Sequence, residues 1–174
     1  MSNRILVTYA TVTGSTPGVA EAIAKTLNEH GFETDLRPMR EVHDLSAYSA
    51  VVAGSAIQSS AWLPEAVAFV QTHQAALRQK PFAAFLVCMT LAMKNAQWKQ
   101  QADVSKFLDP VRALVKPAAE GYFAGALDLK KIPQRAARFG FRLSILFGMW
   151  SEGDHRDWNA IRTWAASLPP LLQV

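Results

Sequence analysis

A chain of 174 residues, half of them apolar, 18% charged and 10% aromatic, has the length of one domain, and its composition excludes intrinsic disorder. It is long enough to bury roughly 70% of its unfolded surface, and its single cysteine, Cys88, excludes an internal disulfide and any multi-cysteine metal site. The net charge of +4 is uneven: residues 1–87 hold six Lys/Arg and seven Asp/Glu, whereas residues 88–174 hold twelve and seven.

From the N-terminus, Met1-Ser2-Asn3-Arg4 leads into Ile5-Leu6-Val7, too short for the apolar core of a signal peptide. No apolar run reaches the 18 or so residues of a membrane span. The expectation is a cytoplasmic protein, with peripheral membrane contact left open. His30, His43, His73 and His155 are far apart and form no H-x-x-x-H pair, so no metal site is expected.

Arg4–Tyr9 is a compact apolar strand. Thr16–His30 reads as a helix, with Val19, Ile23 and Leu27 at steps of four and Gly31 where a C-terminal cap belongs. Phe32–Arg37 is a second strand closed by Pro38, and Ser49–Ile57 a buried third one after a turn or short helix at Asp44–Tyr48. A helix over Leu63–Leu77 starts at Pro64, a residue suited to a first helical turn. Phe82–Met89 is the fourth strand, Asp103–Val115 a helix, and Glu120–Leu127 the fifth strand. Asp157 caps a final helix through about Leu168, ended by Pro169-Pro170. Strands apolar throughout and alternating with helices predict a doubly wound parallel α/β sheet in three αβα layers. Its expected order is 2-1-3-4-5, with ligand at the carboxyl ends of strands 1 and 3. The whole chain, 1–174, reads as one domain carrying a basic aromatic insertion at about 129–151.

Between the first strand and first helix, Thr11-Val12-Thr13-Gly14-Ser15-Thr16 presents four hydroxyls and a glycine at a helix N-terminus, where amide donors and the helix dipole favour an anion. No Lys or Arg lies between Ala10 and Ala24, so a phosphate would be held here by hydroxyls and amides alone. Both the Walker pattern and G-x-G-x-x-G are absent, which leaves a mononucleotide phosphate or a simple hydroxyl cap.

With this loop, in this position, the chain resembles the flavodoxin family, whose phosphate loop [ST]-x-T-G-x-T is matched by Thr11–Thr16. The resemblance implies a flavodoxin-like fold and FMN as cofactor, its phosphate held by Thr11, Val12, Thr13, Gly14, Ser15 and Thr16. It further implies that the loops after strands 3 and 4 sandwich the ring. Those loops bring in Gly54, Ser55, Ala56, Ile57, Gln58 and Trp62 on one side and Met89, Thr90, Leu91 and Ala92 on the other. Small residues at Gly54, Ser55 and Ala56 would permit close backbone approach. Trp62 either stacks on the ring or packs into the following helix, and Cys88, inside an apolar strand, is expected to be buried and inert. A receiver domain would need clustered acids where Tyr9-Ala10 and Gly54-Ser55 stand.

Residues 129–151 carry Lys130, Lys131, Arg135, Arg138 and Arg142 and no acid. As a helix, Arg135, Arg138 and Arg142 share one face and Phe139, Leu143, Leu146 and Trp150 another. Such a helix can lie in an anionic membrane interface, cover a ligand, or pack on the sheet edge. Together with Asp44–Tyr48, Gly54–Ile57, Phe123–Leu127 and Asp157-Trp158, this segment is similar to the menaquinone-dependent protoporphyrinogen oxidase branch. That likeness implies an FMN-dependent oxidoreductase, peripheral to the membrane, that takes electrons from a small organic reductant and delivers them to a quinone. The five basic residues would then meet substrate carboxylates or lipid headgroups. No acid or base for proton transfer stands out, so none is assigned. The alternatives are a flavodoxin-type electron carrier, for which a pI near 9.4 is unusually basic, and a peripheral binding module without flavin. Nucleic-acid binding ranks last, because the basic residues adjoin an apolar face and no recognition motif is present.

Overall fold

The computed structural model describes residues 4–172, apart from the side chain of Trp98. Among these residues five strands run parallel: β1 (Arg4–Ala10), β2 (Glu33–Pro38), β3 (Ala50–Gln58), β5 (Phe82–Cys88) and β6 (Ala119–Ala124), in the order β2-β1-β3-β5-β6. This is the expected doubly wound order. A short β4 (Ala61–Trp62) folds back antiparallel on β3, pairing Ile57 with Trp62 and Gln58 with Ala61.

The strands are apolar throughout because both faces of the sheet are covered. On one face Ile5, Val7, Val52, Phe85 and Val87 pack against Val19, Ile23 and Leu27 of α1 (Thr16–Glu29) and Ile161 and Ala165 of α7 (Trp158–Ser167). The alternate residues Leu6, Val51, Ala53 and Leu86 meet Ala66, Phe69 and Val70 of α2 (Pro64–Thr72) and Val111 of α5 (Asp109–Leu114). α7 begins where Asp157 accepts from the backbone N–H groups of Asn159 and Ala160 at 3.0 and 2.9 Å, a side-chain cap at the expected residue.

Three expected elements are divided. The helix expected over Leu63–Leu77 is α2 followed by α3 (Gln74–Leu77), jointed at His73, so that the Gln74 amide donates to the carbonyl of Leu114 at 2.8 Å. The helix expected over Asp103–Val115 is a 3-10 turn, Val104–Leu108, and then α5, because Pro110 lacks an N–H and serves only in a first turn. The last strand expected over Glu120–Leu127 leaves the sheet at Gly125. Beyond it, β7 (Ala126–Leu127) pairs antiparallel with β8 (Gly153–Asp154). A further short helix, α4 (Ala96–Gln101), carries no apolar period to announce it. Within the basic segment the 3-10 turn Leu129–Lys131 precedes α6 (Arg135–Leu146).

At the β6 edge Arg112 donates Nε and Nη2 to Glu120 at 2.7 and 2.6 Å, and the Tyr122 hydroxyl closes on the same carboxylate. Arg112 holds the Glu120 carboxyl below the ordinary carboxylate range, whereas burial and then the Glu120 carboxylate push the Tyr122 hydroxyl up to about 12. A depressed carboxyl stabilises the fold above its unfolded pKa, and the contribution disappears as pH falls through the folded value. Glu120→Gln is therefore expected to lower Tm at pH 7 and to flatten the fall in Tm between pH 5 and 3, as read by a pH series of thermal melts.

Candidate functional site

The carboxyl ends of the parallel strands open into a cleft of about 340 Å³. Its walls are Val12 and Thr13 after β1, Ala56–Ser59 at the end of β3, Met89 after β5, and Ala126–Asp128 after β6. Ile132, Pro133, Gln134, Ala137 and Phe141, from the start of α6 and the turn before it, form the roof. A chamber of about 170 Å³ adjoins it through Ile57, Ser59, Met89 and Phe141, and adds Ser60, Cys88, Thr90, Phe107 and Trp150.

In the loop after β1, the Gly14 N–H donates to Thr11 Oγ1 at 3.1 Å, and Gly14 takes φ +84°, a conformation that suits glycine. Ser15 stands at the N-cap of α1 without a side-chain capping bond, and the first turn holds no acid. Hydroxyl capping, one of the two roles open to these residues, is thus not how α1 begins. Thr16 is fully buried, and its Oγ1 has no hydrogen-bond partner among the described residues. A buried hydroxyl without a partner is costly. Thr16 lines neither the cleft nor the chamber, so this hydroxyl, expected at the phosphate, is turned inward, and the loop residues that reach the cleft are Val12 and Thr13.

A cation does attend this loop, from a part of the chain 141 residues away. Arg156 donates Nη1 to the Ser15 carbonyl at 3.2 Å, lies 4.4 Å over the Trp158 ring, and is held by Asp154 through Nε and Nη2, both at 2.7 Å. The pairing with Arg156 holds the Asp154 carboxyl below its ordinary range. The absence of Lys and Arg between Ala10 and Ala24 therefore does not describe the loop in space. No local pattern ties Arg156 to Ser15.

Of the residues expected around the ring, Ala56, Ile57, Gln58 and Met89 line the cleft, Thr90 lines the chamber, and Ala92 is half-buried in the turn after β5. Leu91 packs against the core shared with α2. Three others are turned inward. A Cβ on Gly54 would lie 2.0 Å from the Phe85 ring, so this glycine makes room for a core side chain rather than a ligand. Ser55 is fully buried, its Oγ accepting from Leu63 N–H at 3.1 Å and donating to the Ala56 carbonyl at 2.7 Å. Trp62, 2% exposed, packs in the core shared with α2 and does not line the cleft. Cys88 is buried, and burial pushes its thiol pKa up, as expected of an inert cysteine.

The turn joining β3 to β4 places Ser59 at φ +52° and Ser60 at φ +60°. Two-residue hairpin turns of this hand prefer glycine and asparagine, so strain sits at the edge of the cleft. Ser60→Gly is expected to stabilise the protein by about 0.5–1 kcal/mol, net of glycine's entropic cost, as a raised urea midpoint at unchanged slope.

Over the cleft, α6 turns Ala137, Phe141 and Ile145 inward and leaves Phe139 (63%), Leu143 (40%) and Leu146 (79%) exposed, with Phe147 (80%) just beyond its end. The expected apolar face of Phe139, Leu143, Leu146 and Trp150 is thus divided. α6 stops at Leu146, and Trp150 packs on Phe141 at 5.3 Å while its Nε1 donates to the Met89 carbonyl at 3.0 Å. Lys130, Lys131, Arg135 and Arg142 are exposed, whereas half-buried Arg138 donates Nη2 to the Ile132 carbonyl at 2.7 Å. The three arginines fall on one side of α6, with Arg138 partly covered. Among the described residues no helix is long and apolar enough to cross a membrane.

Comparison with known proteins agrees with this fold. A short-chain flavodoxin associated with a non-canonical PDU bacterial microcompartment superposes with TM-score 0.61 at 16% identity, covering 99% of this chain and 100% of its own. A flavodoxin from the domain Archaea gives TM-score 0.58 at 14% identity, with 96% of each chain covered. The rubredoxin oxygen:oxidoreductase of Desulfovibrio gigas gives TM-score 0.52 at 16% identity over 99% of this chain, which spans only 38% of that longer protein. At such identities these likenesses concern the fold. The family profile described as flavodoxin domain matches residues 6–158, and by that match the chain belongs to the flavodoxin domain family.

Proposed function

We propose that this protein binds FMN and passes electrons through it. The observation that carries the reading is the N-terminus of α1, without a side-chain cap or a first-turn acid, behind a loop whose Val12 and Thr13 line a cleft at the carboxyl ends of the strands. The Thr11–Thr16 loop would hold the phosphate, and the ring would lie between Ala56–Ser59 and Met89, beneath Phe141. When bound, the flavin supplies transfer of one or two electrons between a donor and an acceptor. The chain's own part is to orient the ring with backbone groups of residues 56–59 and to keep water from it with Met89, Phe141 and Trp150. Among the described residues Asp128 is the single ionisable one lining the cleft, and its carboxylate accepts from the Lys130 N–H at 2.9 Å, so no proton-transfer role is assigned to it. The purified chain mixed with FMN and freed of excess by gel filtration is expected to show flavin absorbance near stoichiometric amounts. A colourless protein overturns the reading.

Two roles fit such a site. An oxidoreductase acting on an organic substrate, resembling quinone-linked protoporphyrinogen oxidase, is favoured by the roof that α6 builds and by the chamber of about 170 Å³ that adjoins the cleft. The exposed Lys130, Lys131, Arg135 and Arg142 suit substrate carboxylates or anionic headgroups, and Phe139, Leu146 and Phe147 suit the apolar layer below headgroups. A flavodoxin-type carrier is favoured by the end-to-end coverage of a short-chain flavodoxin. Anaerobic turnover of protoporphyrinogen with a menaquinone analogue supports the enzyme; electron exchange with a reductase but no turnover supports the carrier. Leu146→Ser with Phe147→Ser is expected to abolish flotation with phosphatidylglycerol vesicles without lowering Tm. Retained flotation removes the membrane role of α6.

A further inference from the structure

We propose that Arg156 is a positioning residue for the ligand's phosphate, presetting the Thr11–Thr16 loop and placing a positive charge beside the N-terminus of α1; this rests on the flavin reading above. The guanidinium reaches the loop through the Ser15 carbonyl at 3.2 Å. It runs so close to α1 that a Cβ on Gly18 would lie 2.8 Å from Nη1. The glycine leaves the space that the guanidinium occupies.

The dipole of α1 by itself opposes a cation here. A helix N-terminus is already the positive end of its dipole, and a cation there is unfavourable unless an anion shares the place. The first turn of α1 has no acid to serve as that anion, and Asp154 is committed to the far side of the guanidinium. A phosphate dianion at the loop would reverse the sign of the interaction.

Arg156 is also preset. The segment that carries it is tied down by β7–β8 pairing of Ala126 with Asp154, by the His155 N–H donating to the Gly125 carbonyl at 3.1 Å, and by the Asp157 cap of α7. A charge held this way by Asp154 and Trp158 loses little freedom when a ligand arrives.

The test compares FMN with riboflavin, which has the same ring and no phosphate, by fluorescence titration of the full chain. Arg156→Gln is expected to raise the Kd for FMN by about tenfold or more and that for riboflavin less than about twofold, with Arg156→Lys recovering most of the loss. Gly18→Ala, which displaces the guanidinium yet favours helix, is expected to raise the FMN Kd by about three- to fivefold and leave riboflavin unchanged. Equal losses for both ligands, a lysine variant no better than glutamine, or unchanged FMN affinity in both Arg156→Gln and Gly18→Ala overturns the proposal. A wild-type chain that binds FMN no more tightly than riboflavin, or binds neither, overturns the phosphate reading beneath it. That outcome is read before any variant is made.

Discussion

Gly54→Ala is expected to destabilise the protein by about 3 kcal/mol, enough to consume much of the stability of a domain this size. The added Cβ would sit 2.0 to 2.3 Å from three atoms of the Phe85 ring, well inside contact distance. Relief is hard to find. Phe85 is fully buried, with its ring centroid 6.3 Å from that of Phe123 and 6.2 Å from that of Trp164. Gly54 itself is held by pairing to Tyr9 on one side and Phe85 on the other. Urea denaturation should show a lower midpoint or no folded baseline. Gly54→Ala combined with Phe85→Leu should recover part of the loss, because the shorter side chain vacates the end of the ring. If the double variant is no better than the single one, the clash is not the cause.

Thr13→Asp is expected to weaken FMN binding by about 100-fold or more while changing riboflavin affinity less than about threefold. Thr13 lines the cleft within the loop proposed to hold the phosphate, and it is only half-buried, so a carboxylate there is tolerated by the fold. A second negative charge within a few ångströms of a phosphate dianion, at the edge of a low-dielectric cleft, repels it strongly. Fluorescence titration with both flavins measures the effect, and a thermal melt shows whether the variant stays folded. An unchanged FMN Kd would place the phosphate elsewhere.

Several elements were legible because their signal is local. The strand cores at Arg4–Tyr9 and Phe82–Met89 are apolar runs bounded by turn residues, and α1 shows a period of four ended near Gly31. Such features survive whatever packs against them. The turn from β1 into α1 at Thr11–Thr16 was legible for a related reason: Gly14 supplies the positive φ that the turn takes. The division of the last strand at Gly125 was not legible, because Ala126 and Leu127 are as apolar as the strand before them. What takes them out of the sheet is a partner, Gly153–Asp154, far along the chain.

The site residues show the same limit. Gly54 and Ala56 look alike as small residues after a strand, yet one packs against Phe85 and the other lines the cleft. On α6 two apolar stripes exist at helical spacing, Ala137-Phe141-Ile145 and Phe139-Leu143-Leu146, and periodicity cannot choose which of them faces inward. Bulk would have favoured the second; the space beside Met89 and Trp150 took the first.

The amino-acid order alone determined the doubly wound parallel sheet and the start of α1 after its first strand, since burial on both faces and helix-start signals are written in neighbouring residues. Only the tertiary structure decided which side chains enter the cleft, which face of α6 meets solvent, and that Arg156 stands beside Ser15. Those outcomes depend on distances between residues remote in sequence, and hydrophobic periodicity carries no record of such distances.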